Sequence, residues 1–367
     1  MDRALALAAR GDYRTRPNPR VGAVVVRDGE VVAEGWHQRA GGPHAEAAAL
    51  AALAPGGARG ATLYVTLEPC GPRAGKRTPP CVDAVLAAGF ARVVVATPDP
   101  HPQVDGRSLE RLRAAGVRVE VGLRGQQARL LNGPFAKWVT RGVPYVTAKW
   151  AMSLDGKIAC ATGHSQWISG PASRRRVHAL RGEVDAVAVG VGTALADDPA
   201  LTRRDAPGGD PLRVVVDSRG RLPLTARLVQ EAARPGGALL ATTPAAPADH
   251  LAALSARGVE VLELPADPEG RVDLRALLSA LAGRGVRHLL VEGGGGLLGG
   301  LFDADLVDQV EVFLAGSVLG GAAAPTPVAG QGAERVDQAP RLRHLAWEPS
   351  GEDLRLIGHV HEYGGDP

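Results

Sequence analysis

Residues 44–81 read HAEAAALAALAPGGARGATLYVTLEPCGPRAGKRTPPC, and this stretch decides the fold of the first part of the chain. An Ala-rich helical run over 44–54 gives way to an apolar strand, Ala61 to Leu67, and after Cys81 the run Val82 to Ala88 is helical again. Outward from it, Val21 to Val26 is a β-branched strand, Asp28-Gly29 a hairpin turn and Val31 to Gly35 the return strand. Met1 to Arg10 starts a short helix. Arg92 to Ala96 and Val117 to Val121 add strands around a helix at Ser108 to Ala115, and residues 124–141 read as a helix. Strand and helix alternate, as in a sheet covered by helices.

Arg141-Gly142-Val143-Pro144 reads as a hinge, and a second cycle starts at Tyr145. Strands are expected at Tyr145 to Trp150, Val184 to Val189, Leu212 to Val216, Ala238 to Ala241, Val259 to Leu262 and His288 to Val291. A helix is expected at 171–181, and a terminal hairpin about Pro349-Ser350-Gly351. At roughly 150 residues per domain, 367 residues make two domains, 1–143 and 144–367.

Composition narrows the function classes. Lys plus Arg is 42 against 39 acidic residues, a formal charge of +3, and aromatics are 4%, which argues against a nucleic-acid or membrane partner. Three cysteines, Cys70, Cys81 and Cys160, form no disulfide framework and suit a reducing cytoplasm. No signal peptide and no run of 18 apolar residues is found.

The strongest chemical signal is His44-Ala45-Glu46, then Pro69-Cys70, then Pro80-Cys81. One imidazole and two thiolates make three zinc ligands and leave a fourth tetrahedral position for water, whose pKa falls toward ~7 so that hydroxide is available at neutral pH. Glu46, two residues past His44, is placed to shuttle protons without binding the metal. A structural zinc site would need a fourth protein ligand, for which His37 is the local candidate. Asn18, in a Pro-flanked loop, reads either as a turn-former or as a substrate contact.

The order H-x-E, P-C, C resembles the zinc-dependent cytidine deaminase superfamily. Ten residues separate the cysteines here rather than two, and such a long Pro-, Gly- and Arg-containing excursion resembles the deaminases of riboflavin biosynthesis. Pro17-Asn18-Pro19-Arg20-Val21-Gly22, Gly35-Trp36-His37 through Glu46, Lys76-Arg77-Thr78-Pro79-Pro80-Cys81 and Asp99-Pro100-His101-Pro102 resemble the same family. Its usual S-H-H-G-[RK]-T-P-P-C segment is two residues longer here and lacks both histidines; Arg73, Lys76 and Arg77 offer charge for a phosphate instead.

In the second half, His288 to Val291 leads into a run of glycines, Glu292 to Gly300, which by itself reads equally as a phosphate cradle or a flexible turn. Lys149 to Ala159, Ser165 to Ser169, Gly192 to Arg204, Val215-Val216-Asp217-Ser218 and Val291 to Gly294 resemble the reductases of riboflavin biosynthesis, whose fold is similar to dihydrofolate reductase and whose hydride donor is NADPH. The resemblance implies that Ala151, Trp167, Thr193, Asp197 and the turn Gly294, Gly295, Gly296, Leu297, Leu298, Gly299 and Gly300 line the NADPH site. It implies that Ser165, Arg181, Leu201, Arg204 and Glu292 contact substrate. Arg181 and Arg204 suit a phosphate by charge and fork geometry. Trp167 reads either as a flat face for nicotinamide or as core packing, and Asp155 as a turn residue.

Together the resemblances imply a bifunctional deaminase–reductase: a cytidine-deaminase-like three-layer α/β/α domain, then a dihydrofolate-reductase-like α/β domain. They imply one Zn2+ per chain, NADPH, a small phosphorylated pyrimidine substrate and a cytoplasmic homo-oligomer. The rival is a nucleic-acid or nucleoside deaminase with an accessory domain.

Overall fold

A computed structural model of the chain describes residues 1–72, 79–204 and 209–363. Alternation along β1 (Gly22–Arg27) sends Ala23 and Val25 to one face and Val24 and Val26 to the other. The Asp28-Gly29 turn returns the chain into β2 (Glu30–Trp36), and β3 (Thr62–Val65) pairs on the other side of β1, both antiparallel. β4 (Arg92–Val95) and β5 (Arg118–Val121) continue in parallel, giving the order β2-β1-β3-β4-β5. Ala4 and Leu7 of α1 (Asp2–Ala9) cover Val24. The opposite face is covered by α2 (Ala45–Ala51), α3 (Cys81–Ala88) and α4 (Arg107–Ala114), through Ala45, Ala49, Val82, Val85, Leu109 and Leu112. Three layers result. Two glycines allow the close approach: a Cβ on Gly22 would lie 2.1 Å from the Ala4 carbonyl oxygen, and one on Gly35 would lie 2.5 Å from the Ala49 nitrogen.

The helix expected over 124–141 is two helices, α5 (Gly125–Leu131) and α6 (Gly133–Arg141). Asn132 separates them because its side chain binds the main chain of Arg20, accepting from its N–H at 2.8 Å and donating to its carbonyl at 2.9 Å. Pro134 follows in the new first turn, where a missing N–H costs nothing.

The chain divides into two units, Met1–Gly142 with Glu362–Pro367, and Val143–His361. Glu362 and Tyr363 accordingly meet residues of the first unit: Glu362 pairs with Arg129 at 2.7 Å, and Lys137 Nζ lies 5.7 Å from the Tyr363 ring centre.

The second unit is built on β6 (Tyr145–Met152), β7 (Ala186–Gly190), β8 (Leu212–Val216), β9 (Ala238–Thr242), β10 (Glu260–Glu263), β11 (His288–Glu292), β12 (Gln309–Leu314), β13 (Arg343–Ser350) and β14 (Asp353–His359), in the order β10-β9-β8-β7-β11-β6-β12-β14-β13. The first seven in that order are parallel; the β13–β14 hairpin closes one side antiparallel. Parallel strands covered on both faces read as continuous apolar runs, which is why AVAVG, LRVVV and ALLAT are strands. One face packs on α11 (Leu274–Gly283) and α12 (Gly295–Asp303). The other packs on α7 (Pro171–Glu183), α8 (Val191–Asp197), α9 (Arg227–Gln230) and α10 (Ala248–Ser255). Sequence reading passes over β12, whose buried Glu311 interrupts the apolar pattern; Arg355 on β14 meets it at 2.6 Å. No described helix is long and apolar enough to cross a membrane.

Candidate active sites in the two units

His44 is the residue before α2, with extended backbone (φ −74°, ψ 165°), and Glu46 lies in the first turn. Cys70 lies in the loop leaving β3, and Cys81 opens α3 behind Pro80. His44 Nδ1 is 3.3 Å from both sulfurs, and the three ligand atoms lie within 4.8 Å of one another. A zinc tetrahedron with Zn–S of ~2.3 Å and Zn–N of ~2.05 Å has an N···S edge of about 3.6 Å, so the donor set and spacing fit zinc. The Cys81 N–H points at Cys70 Sγ, 3.4 Å away, and favours the thiolate. Among the described residues no fourth His, Cys, Asp or Glu joins the group. His37 stays outside it, with Nδ1 at 2.9 Å from the Pro43 carbonyl and Nε2 at 3.1 Å from Asn18 Nδ2. Its ring meets His44 edge-on at 5.2 Å, so Asn18 is tied to the ligand set through His37.

Glu46 is 3% exposed. Burial, and then the neighbouring Cys70 charge, push its carboxyl up to about 7; a cation among the ligands pulls the other way. A buried carboxyl held between these opposing influences can take and return a proton. Arg73, Lys76 and Arg77 lie outside the described residues.

In the second unit, the carboxyl ends of β6, β7 and β11 open onto a cleft of about 820 Å³, where an open parallel sheet ordinarily receives its ligand. Ala151, Trp167, Thr193, Asp197 and Gly294 line it, as do Ser165, Arg181, Leu201, Arg204 and Glu292. The two groups touch: Ser165 Oγ donates to Asp197 Oδ1 at 3.2 Å. Arg181 grips Glu292 in a fork, Nε to Oε1 at 2.6 Å and an Nη to Oε2 at 2.8 Å, and its other Nη donates to the Thr202 carbonyl at 3.0 Å. Lys149 Nζ is 3.9 Å from Glu292 Oε2. Burial alone would raise the Glu292 carboxyl, but Arg181 and Lys149 outweigh it and hold it below the ordinary carboxylate range. Burial pushes Lys149 down.

Trp167 is 70% exposed, with the Arg174 guanidinium 4.6 Å over its ring, so the core-packing alternative fails. Leu201 is buried among the apolar side chains against α7 and α8, with a left-handed backbone (φ 52°). The glycine run differs from expectation. Only Gly293 and Gly294 line the cleft; Gly295, Gly296, Leu297, Leu298, Gly299 and Gly300 belong to α12 rather than to a turn. Leu298 is buried in the core. A Cβ on Gly299 would lie 2.2 Å from the Ala329 carbonyl oxygen, so that glycine is needed for the 326–330 segment to pack on the helix. Asp155 does behave as a turn residue. It accepts from Ser153 Oγ at 2.6 Å and from the Leu319 and Gly320 N–H groups, which hold its carboxyl down to about 2.

Sequence reasoning assigned no role to Lys149, Arg174 or His178, all of which line the cleft. The available signals were one of only four lysines in the chain, late in an apolar strand run, and the Arg174-Arg175-Arg176 run in the first half of α7.

Residues 1–97 match the family described as the cytidine and deoxycytidylate deaminase zinc-binding region, and residues 144–356 match the RibD C-terminal domain. Riboflavin biosynthesis protein RibD of Escherichia coli (strain K12) is 42% identical, with 98% of each chain covered. That of Aquifex aeolicus is 40% identical, covering 97% of this chain and 96% of its own. Among solved structures, Acinetobacter baumannii RibD is 37% identical with a TM-score of 0.80, covering 98% of this chain and 97% of its own. A Thermotoga maritima diaminohydroxyphosphoribosylaminopyrimidine deaminase/5-amino-6-(5-phosphoribosylamino)uracil reductase is 36% identical with a TM-score of 0.79 and the same coverage. With both units matched in order over nearly its whole length, the chain belongs to the RibD family of riboflavin biosynthesis proteins.

Proposed function

We propose that the two units catalyse consecutive steps on one phosphorylated pyrimidine. The first is hydrolytic deamination of 2,5-diamino-6-(5-phosphoribosylamino)pyrimidin-4(3H)-one. The second is NADPH-dependent reduction of the ribosyl side chain of 5-amino-6-(5-phosphoribosylamino)uracil to ribityl. The substrate names rest on the Thermotoga maritima relative. The observation that carries the reading is the convergence of His44, Cys70 and Cys81 beside buried Glu46, in a chain whose second unit holds an arginine-lined cleft.

His44, Cys70 and Cys81 would hold one zinc ion per chain. Trp167, Ala151, Thr193, Asp197 and Gly294 would line the NADPH site. When bound, zinc supplies an activated water and NADPH a hydride. Glu46 would carry one proton of the attacking water to the ring nitrogen and then the second, from the new hydroxyl, to the amine as it leaves as ammonia. His37 holds the Asn18 amide against the substrate ring. In the second unit, Arg204 and Arg181 attract the phosphate, while Glu292 fixes the Arg181 fork and places the Lys149 ammonium within reach of the reacting sugar oxygen. The balance is one water consumed and one ammonia released, then one NADPH and one proton consumed.

The test is a coupled assay. Zinc-loaded protein given the diamino substrate and NADPH should release ammonia and oxidise NADPH in equal amounts; ammonia release with no NADPH oxidation would overturn the two-step reading.

A further inference from the structure

Glu68 is a buried acid that neither proposed reaction uses. It is 2% exposed and stands two residues before Cys70, at the exit of β3. Its carboxylate makes no ion pair among the described residues and is met by main-chain N–H groups. Oε2 accepts from Asp99 at 3.1 Å and Gly106 at 3.0 Å, Oε1 accepts from Ser108 at 3.0 Å, and the Leu109 N–H adds to these. All of these partners donate to the carboxyl oxygens.

Gly106, Ser108 and Leu109 form the start of α4, while Asp99 lies in the loop that leaves β4. That helix begins behind Gly106, which has φ 78° and no side chain with which to cap it. Its first N–H groups would otherwise be orphaned in a buried place. Glu68 supplies the missing cap from about forty residues upstream, where a negative charge also suits the positive helix end. Glu68's own N–H donates to the Thr97 carbonyl at the exit of β4, at 3.0 Å. The segment carrying Cys70 is thereby fastened to the β4 exit and to α4. From its other side Cys70 is fastened to α3, its carbonyl accepting from Val82 N–H at 3.2 Å and its sulfur from Cys81 N–H. The Cys70–Gly71 main chain runs tightly past α4, since a Cβ on Gly71 would lie 3.0 Å from Ser108 Oγ.

We propose that Glu68 is the positioning residue for the metal ligand Cys70: by capping α4 it locks the exit of β3 so that the Cys70 sulfur is set in place before metal arrives. The proposal rests on the zinc reading of His44, Cys70 and Cys81. Glu68→Gln keeps a carbonyl oxygen for two N–H donors but turns an amide against the others; Glu68→Ala removes the cap altogether.

The experiment uses the full chain and measures zinc affinity by competition with a chromophoric chelator, alongside the thiolate-to-cobalt absorption of the Co2+-substituted protein. Expected is a loss of zinc affinity on the order of 10- to 100-fold in Glu68→Ala, a smaller loss in Glu68→Gln, and a changed cobalt spectrum in both. NADPH oxidation with supplied deaminated substrate should stay at the wild-type rate, which separates the effect from general unfolding. Should the alanine variant not fold, the near-isosteric glutamine variant decides. Wild-type zinc affinity and cobalt spectrum in the glutamine and any folded alanine variant would overturn the role of Glu68. Wild-type zinc affinity in Cys81→Ser would overturn the zinc reading instead.

Discussion

The two sites concentrate their chemistry differently. In the first unit three ligand atoms lie within 4.8 Å of one another, and they come from the starts of two helices and one strand exit. In the second, the residues lining the cleft come from the ends of three parallel strands, from α7 and α8 and from the loops that carry Ser165, Trp167 and Arg204, and lie as far apart in sequence as Lys149 and Glu292. A metal makes a point, and short motifs with fixed chemistry suffice to build one. A hydride transfer needs two flat molecules placed against each other, and many residues share that work. The contrast predicts that the first site fails abruptly when one atom is lost and the second degrades by degrees.

Metal removal is the sharpest way to separate them. Dialysis against a chelator should abolish ammonia release while leaving NADPH oxidation with supplied deaminated substrate intact; loss of both activities would break the contrast. Glu46→Gln should come next. Glutamine keeps the shape but carries no exchangeable acid proton, so ammonia release should fall by about 10²- to 10⁴-fold, with zinc content unchanged by metal analysis. Ammonia release at the wild-type rate would remove Glu46 from the chemistry.

Glu292→Gln probes the second site at its most concentrated point. The fork from Arg181 and the nearby Lys149 ammonium would face a neutral amide in a buried setting. Removing one partner of a buried pair costs roughly 3–5 kcal/mol, and reductase kcat/KM should fall on the order of 10²-fold through misplacement. The pair also has a pH signature. Because the folded carboxyl is held below its ordinary value of about 4.3, its stabilisation is present above that value and fades as the pH falls through the lower folded value. Thermal unfolding followed against pH should show the second unit losing stability below about pH 4.3 in the wild type and a flatter profile in Glu292→Gln. Identical profiles would mean that the pair contributes nothing to acid stability.

The same contrast explains what the sequence disclosed. His44, Glu46, Cys70 and Cys81 were legible because each sits in a local pattern whose chemistry has few other uses. The strand runs were legible because parallel strands buried on both faces are apolar throughout. β12 escaped because Glu311 is buried against Arg355, a partner about forty residues away that no local pattern announces. The break at Asn132 escaped for the same reason, since it depends on the Arg20 main chain. Among the glycines, sequence gave abundance but not purpose. Gly294 reaches the cleft, while Gly299 serves close packing, and only the Ala329 carbonyl 2.2 Å from its missing Cβ tells them apart. Lys149 was visible as a rare lysine, but its pairing with Glu292 exists only once β6 and β11 lie side by side.

The smallest expected effect tests the contrast most finely. Trp167 is exposed on the cleft rim, and what steadies it is Arg174, whose guanidinium lies over the ring while an Nη donates to the Ser169 carbonyl at 2.6 Å. A cation over an exposed aromatic ring contributes about 0.5–1 kcal/mol, so Arg174→Ala should weaken NADPH binding by only about 2- to 5-fold, read by quenching of protein fluorescence. KM for NADPH should rise by a similar factor with kcat unchanged. That outcome is what a distributed site requires: the ring is placed by several weak contacts, and losing one leaves the rest to hold it. If kcat instead collapsed as ammonia release does on losing zinc, Arg174 would be acting on the transition state itself. The second unit would then have a point of failure as concentrated as the first.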